Sequence, residues 1–225
     1  MAPKSVELRE TDAGLTLVGD NMELRCDFEE MLPRIKPGRL QQELLVKAAK
    51  VKGAQSPTAI DCTAGLGQDS FLLAAAGFRV RMFERDETIA ALLEDGLSRA
   101  GNNPVVSGIA KRMSLERGDS LQYLAALAKS DDVPPDVIYL DPMFPARQKS
   151  AAVKKKFQLI HHLEAPCQNE GALLAAAISA GPRKVVVKRP AKGPHLAGVK
   201  PSHSLAGKAV RYDVIIPASI KIPLA

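Results

Sequence analysis

Thr58-Ala-Ile-Asp61-Cys-Thr-Ala-Gly65-Leu-Gly67-Gln-Asp69 is the stretch from which the architecture of this chain is read. Ala59 to Cys62 is a short apolar strand, the glycines at 65 and 67 make a tight turn, and Asp69 to Ala76 has helical spacing and is closed by Gly77. The alternation continues downstream. Arg79 to Glu84 reads as a strand, Glu87 to Ala100 as a helix closed by Gly101, Arg112 to Glu116 as a strand and Ser120 to Lys129 as a helix. Asp136 to Asp141 is a strand, Gly171 to Ala180 a helix and Lys184 to Lys188 a strand, and Val210 to Ile216 is a last strand paired with one just before Ala206-Gly207. Strands and helices in strict alternation mean parallel strands joined by crossover helices. The expected fold is therefore α/β and Rossmann-like, a mostly parallel seven-stranded sheet with helices on both faces. In such sheets ligands bind beyond the C-terminal strand ends, which directs attention to Asp61, Glu84, Gly118 to Ser120, and Asp141.

Residues 1–55 read as an N-terminal extension to a domain covering 56–225. Leu15 to Phe28 holds two alternating runs about Gly19-Asp20-Asn21, a hairpin signal. A helix is expected after Pro37-Gly38, with Leu40, Leu44, Leu45, Ala48 and Val51 at helical spacing, ending at Gly53. The 225 residues, 46% apolar, suffice for one domain with a sizeable core. No apolar run approaches the roughly 18 residues that a membrane span needs. The first ten residues carry acids where a signal peptide has an apolar core, and Cys26, Cys62 and Cys167 form no disulfide pattern, so a reducing cytoplasm is expected. The net charge of +6 hides a division. From Arg147 onward there are 14 Lys and Arg against 3 Asp and Glu, whereas residues 1–146 hold 17 against 22. An excess concentrated in the last third suits a polyanionic partner.

The chemistry sits at the strand ends. Glu84, seventeen residues after Gly67, stands where a carboxylate accepts both hydroxyls of an adenosine ribose, a geometry that serves nicotinamide dinucleotides and S-adenosylmethionine alike. A dinucleotide fingerprint needs glycine or alanine where this chain has Ser70. Asp69 would moreover repel a pyrophosphate at the helix N-terminus, while a cationic, phosphate-free ligand such as S-adenosylmethionine tolerates it. Asp141-Pro142-Met-Phe144-Pro145 resembles the D/N-P-P-Y/F motif of amino-methyltransferases, with Met143 in place of the second proline. Asp141 and the Pro142 carbonyl are the candidate acceptors for an exocyclic amino group, and Phe144 the ring on which the base stacks. The motif alone allows guanine N2, adenine N6 or another amino group. Arg147, Lys149, Lys154, Lys155 and Lys156 follow at once, five cations suited to a nucleic-acid backbone, and Lys188 and Arg189 are expected to extend the same face. His161, His162, His195 and His203 have no metal-ligand spacing with the cysteines, so no metal is expected. Cys167 follows Pro166 much as in the nucleophile loop of cytosine-C5 methyltransferases, but Asp141-Pro142 already fills that loop's place in the strand series.

From about Leu32 to its end the chain resembles the ribosomal small-subunit methyltransferase J family, 16S rRNA guanine-N2 methyltransferases with a class I methyltransferase fold. The resemblance rests on Asp61-Cys-Thr-Ala-Gly-Leu-Gly-Gln-Asp-Ser-Phe71, Arg79-Val-Arg-Met-Phe-Glu-Arg85, Ala90-Ala-Leu-Leu-Glu-Asp-Gly-Leu97 and Tyr139-Leu-Asp-Pro-Met-Phe-Pro145. Gln148-Lys-Ser150, Val153-Lys-Lys155 and Val185-Val-Val-Lys-Arg-Pro190 extend it in order and spacing. It implies S-adenosylmethionine as cofactor, 16S rRNA of the small ribosomal subunit as substrate, and the N2 amino group of a guanine as acceptor. The family's cofactor positions fall on Gln68 and Asp69, on Glu84 and Arg85, on Asp119 and Ser120, and on Asp141, around the turn of Asp61, Gly65 and Gly67. Gln68 stands where the family commonly has arginine, and Asp119 replaces a small residue with a carboxylate that can accept from an adenine amino group. Two other classes fit parts of the chain. A nicotinamide-dependent oxidoreductase accounts for the glycine turn and leaves Asp141-Pro-Met-Phe144 without a role; a non-catalytic RNA-binding protein accounts for the basic third and leaves the turn unexplained.

Overall fold

Strands with an unbroken apolar run, such as Val137-Ile-Tyr-Leu140 and Val185-Val-Val187, are stable only where both faces are covered. The computed structural model puts them in the middle of a seven-stranded sheet. The structure describes residues 6–19, 22–142 and 169–219. A small sheet of β1 (Glu7–Thr11), β2 (Gly14–Gly19) and β3 (Met22–Leu24) precedes the short helices α1 (Leu32–Ile35) and α2 (Leu44–Ala49). Then come β4 (Thr58–Asp61), α3 (Gln68–Ala75), β5 (Arg79–Glu84), α4 (Glu87–Asn102), α5 (Ser107–Ala110), β6 (Met113–Arg117), α6 (Ser120–Leu127) and β7 (Val137–Leu140). Beyond residue 168 follow α7 (Glu170–Ser179), β8 (Lys184–Pro190), β9 (His203–Ala206) and β10 (Val210–Ile215).

The sheet order is β6-β5-β4-β7-β8-β10-β9, and only β10 runs against its neighbours. The chain adds strands outward from β4 to β6, then returns to lay β7 on the other side of β4. That reversal makes the β4–β7 junction the switch point, where the loops diverge and leave a crevice beyond the strand ends. Side-chain alternation divides the core between the two faces. Ala59, Val80, Met82, Val137, Tyr139 and Val186 join α3 and the 3-10 turn Phe28–Met31 on one side. Ile60, Phe83, Ile138, Leu140, Val185 and Val187 meet Leu124 of α6 and Leu173, Leu174 and Ala177 of α7 on the other. Asp86, Asp119 and Asn169 each accept backbone N–H groups at the starts of α4, α6 and α7, satisfying donors that the first turn leaves open. Among the described residues no helix is long and apolar enough to cross a membrane.

The extension shares the core of the rest. Phe28, 3% exposed, stacks on Phe71 of α3 with ring centroids 5.0 Å apart, and Cys26, Met31 and Leu45 belong to the same cluster. Leu17 and Leu24 pack on Ile89 and Leu92 of α4. The expected hairpin is β2–β3, but β2 also pairs with β1, which no alternation announces because all five of its residues are exposed. The single helix expected after Pro37-Gly38 is instead a 3-10 turn at Leu40–Gln42, an extended Glu43 (ψ 126°) and α2. Arg34 grips the Glu43 carboxylate through Nε and a terminal nitrogen at 2.9 and 2.7 Å, and Lys184 Nζ donates to the Ala48 and Lys50 carbonyls at 3.1 and 2.9 Å, ending α2 early. Helix α4 runs through Gly101 and stops at Asn103 (ψ 118°), since the following Pro104 disfavours the helical conformation there.

Phe28→Ala is expected to cost about 3–4 kcal/mol of stability, as for a buried aromatic truncated to a methyl group. Val133→Ala, at a side chain 91% exposed, should stay within about 0.5 kcal/mol. Denaturant unfolding of both variants beside the parent checks this; equal effects would separate the extension from the core.

Candidate active site

Gly67 adopts φ +71°, and a Cβ there would meet Leu93 Cδ1 at 2.8 Å and Phe28 Cζ at 3.3 Å, so conformation and packing both require glycine. Gly65, at φ +54°, has open space where a Cβ would stand, which leaves its backbone accessible to a ligand. Asp61 is 1% exposed. Its Oδ2 accepts from Ser70 Oγ at 2.6 Å and its Oδ1 from the Thr63 backbone N at 3.0 Å. Burial pushes the carboxyl up to about 7 against the pull of those two bonds. Asp61 therefore shapes the turn from beneath, and Ser70, the residue that departs from the dinucleotide fingerprint, ties α3 to β4. Glu84, 6% exposed, accepts from Gly65 N at 2.8 Å through Oε2 and from Asp86 N at 2.9 Å through Oε1. Burial raises its carboxyl while these amides oppose the rise. The Arg85 amide adds a third such bond, and a carboxylate with about four acceptor sites retains capacity to accept a hydroxyl beside them. Gln68 and Arg85 are exposed at the starts of α3 and of the loop after β5. Asp119 is exposed and accepts from Leu121 N at 2.9 Å, while the buried Ser120 donates Oγ to the Cys62 carbonyl at 3.1 Å.

Across the switch point, the Asp141 amide donates to Thr63 Oγ1 at 2.7 Å, joining the loop after β7 to the loop after β4. Pro142, next to it, is buried. The Asp141 carboxylate Oδ2 lies 2.9 Å from Lys188 Nζ, and the same ammonium lies 2.7 Å from Asp69 Oδ2, which also accepts from the Tyr139 hydroxyl at 2.6 Å. Burial works to raise the Asp69 carboxyl, but Lys188, Tyr139 and Arg34 hold it below its ordinary value. At Asp141 burial, with Asp69 adding to it, prevails over Lys188 and the carboxyl is raised. Lys188 is kept firmly charged, the two carboxylates overcoming its burial.

Lys188 and Arg189 thus do not continue a solvent-facing basic strip. Strand β8 is central and its residues alternate between two buried faces. Lys188 sits between two carboxylates, and Arg189, 1% exposed, donates to the Pro194 carbonyl at 3.0 Å and to Glu170 at 3.2 Å. Thr63, Ser70, Tyr139 and Lys188 are the site residues that sequence reasoning missed or misplaced. The strand-end rule was available for Lys188, which closes the strand expected over Lys184 to Lys188, but the register Leu140↔Val187 that sets it level with Asp141 was not legible. Phe144, Arg147, Lys149, Lys154, Lys155 and Lys156, with His161, His162 and Cys167, lie outside the described residues. Among the described residues no three His, Cys, Asp or Glu side chains gather as metal ligands. A cleft of about 510 Å³, lined by Thr58, Arg79, Arg81, Arg112 and Tyr123 among others, opens at the N-terminal ends of β4, β5 and β6, at the other end of the sheet from Asp61, Glu84 and Asp141.

Two carboxylates sharing one ammonium carry net negative charge, which suits a cationic ligand and repels a pyrophosphate. With the Gly65 backbone and the Glu84 carboxylate to which it is bonded, these residues fit S-adenosylmethionine. A family model for S-adenosylmethionine-dependent methyltransferases matches residues 2–217. Ribosomal RNA small subunit methyltransferase J of Neisseria gonorrhoeae is 42% identical over 203 residues, 90% of this chain and 80% of that protein. The protein of the same name in Chromohalobacter salexigens is 39% identical over 226 residues, 98% of this chain and 88% of that one. A crystal structure of an S-adenosylmethionine-dependent methyltransferase from Neisseria gonorrhoeae superposes with a TM-score of 0.77 at 33% identity, covering 98% of this chain and 86% of that one. An rRNA methyltransferase from Streptomyces viridochromogenes shares the fold, with a TM-score of 0.51 at 20% identity over 81% of this chain and 85% of its own. The chain belongs to the ribosomal RNA small subunit methyltransferase J family and is an S-adenosylmethionine-dependent methyltransferase.

Proposed function

We propose that this enzyme transfers a methyl group to the exocyclic N2 of a guanine in 16S rRNA of the small ribosomal subunit, and that it does so in the cytoplasm. The observation that carries the reading is the bond from the Asp141 amide to Thr63 Oγ1, which makes the acceptor motif and the cofactor turn one unit. The names of the relatives, which specify small-subunit ribosomal RNA, supply the substrate class.

When bound, S-adenosylmethionine supplies an electrophilic methyl group on its sulfonium. Glu84 is suited to accept the ribose hydroxyls, the Gly65 backbone to allow close approach, and Asp119 to accept from the adenine amino group. Gln68, Asp69, Arg85, Ser120 and Asp141, around the turn of Asp61 and Gly67, complete the proposed cofactor set. The guanine leaves its stack to reach the site, as bases modified by enzymes do, and Phe144 receives its face. Asp141 and the Pro142 carbonyl each accept a hydrogen bond from the N2 amino group, which turns the nitrogen lone pair out of conjugation with the ring. Alignment of this kind supplies most of the acceleration. Arg147, Lys149, Lys154, Lys155 and Lys156 are proposed to hold the RNA backbone.

Asp141→Ala is expected to lower the rate of methyl transfer by about 10²-fold or more, the scale of a lost alignment, with S-adenosylmethionine affinity in calorimetry changed only a few-fold. Glu84→Gln should instead weaken cofactor binding by about ten- to a hundredfold, the worth of a charge-assisted hydrogen bond. Labelled methyl transfer to 30S subunits and to free 16S rRNA from cells lacking the activity, followed by nucleoside analysis, should yield N2-methylguanosine. N6-methyladenosine would favour adenine as the acceptor, and no labelled nucleoside in either substrate would overturn the assignment.

A further inference from the structure

We propose that Lys188 is a positioning residue of the transfer step: its ammonium, bridging Asp69 and Asp141, fixes the Asp141 carboxylate as a hydrogen-bond acceptor and ties it to the cofactor turn. This builds on the role of Asp141 as the acceptor for the base amino group, given above.

Lysine side chains are rarely withdrawn from solvent unless paired, and Lys188 is only 26% exposed with a carboxylate on each side at 2.7 and 2.9 Å. To reach an RNA phosphate it would have to leave both partners. Two carboxylates in contact with one nitrogen resist ionising together once that nitrogen is removed. Asp69 has further support, from the Tyr139 hydroxyl at 2.6 Å and from its place in the first turn of α3. Burial and Asp69 already raise the Asp141 carboxyl, with Lys188 opposing them. Without the ammonium, Asp141 is the member of the pair that takes up a proton. A protonated carboxyl presents an O–H donor, which opposes the donor hydrogens of an amino group.

Among the described residues the other charged and titratable groups around the pair do not replace Lys188. Arg34 of α1 is gripped by Glu43, Asp61 of β4 is bonded to Ser70 and Thr63, and Arg189 of β8 is paired with Glu170. Tyr139 of β7 and Tyr212 of β10 are kept neutral by burial and by the carboxylates they face. Among the described residues Lys188 is thus the one through which Asp141 is linked to Asp69, 119 positions away from Lys188 in the chain.

The test is methyl transfer to 30S subunits by the parent, Lys188→Met, Lys188→Arg and Asp141→Ala across the neutral pH range, with S-adenosylmethionine binding followed by calorimetry as a check on the fold. Lys188→Met should lower kcat by about 10²-fold with the KM for the subunit nearly unchanged. Its rate should climb with pH where the parent's is level, because a raised Asp141 must lose its proton to act. Lys188→Arg, which keeps the cation, should recover most of the rate and the level profile. If Lys188→Met does not fold, Lys188→Gln carries the same comparison. A parental kcat and pH profile in Lys188→Met, or a change confined to KM, overturns the inference while an inactive Asp141→Ala leaves the acceptor assignment standing. An active Asp141→Ala overturns both.

Discussion

A carboxylate at 1% exposure has to find its hydrogen bonds within the protein, and Asp61, at the end of the interior strand β4, finds them in Ser70 Oγ and the Thr63 amide. Ser70, in the first turn of α3, ties that helix to β4 and so confines the glycine turn between them. Thr63, held by its amide, turns its hydroxyl to the Asp141 backbone. The two loops that diverge at the switch point are in this way pinned to one buried group. Loss of the carboxylate would leave the buried Ser70 hydroxyl without its acceptor, at about 1–3 kcal/mol, and would free the half-buried Thr63 amide.

The extension serves the same turn from behind. Phe28 stacks on Phe71 and closes on Gly67, and Cys26 Sγ meets the Leu66 carbonyl at 3.3 Å. Arg34, carried on α1, contributes its charge to Asp69. A segment that reads as an appendage is thus packed where it steadies the cofactor turn, and its contribution to chemistry passes through that packing.

The basic last third of the chain contains cations of different kinds. Lys188 belongs to the site. Arg189 and Arg211 are buried and hold the loop that follows β8: Arg211 donates to the carbonyls of Pro190, Ala191 and Gly193 and pairs with Asp213 at 2.9 Å. Asp213, its carboxyl lowered by Arg211, Ser204 and His195 against the effect of burial, stays charged at the centre of that network. A count of charge along the chain does not separate a cation that meets RNA from one that staples a loop, because burial is decided by strands brought together from elsewhere.

What the sequence by itself determined is local. The repeat of strand and helix, the limits of β5 at Arg79 and Glu84, and the carboxylates Asp61, Glu84 and Asp141 at strand ends are legible because backbone periodicity and glycine turns act over a few residues. The break at Glu43 and the early end of α2 depend on Arg34 and on Lys184, and β1 depends on pairing with β2. The burial of Asp61 and the sharing of Lys188 between Asp69 and Asp141 were decided by the tertiary structure alone. They follow from the order of β4, β7 and β8 in the sheet and from the register that sets position 188 beside position 141, and a sheet's order and register are properties of pairing between distant segments.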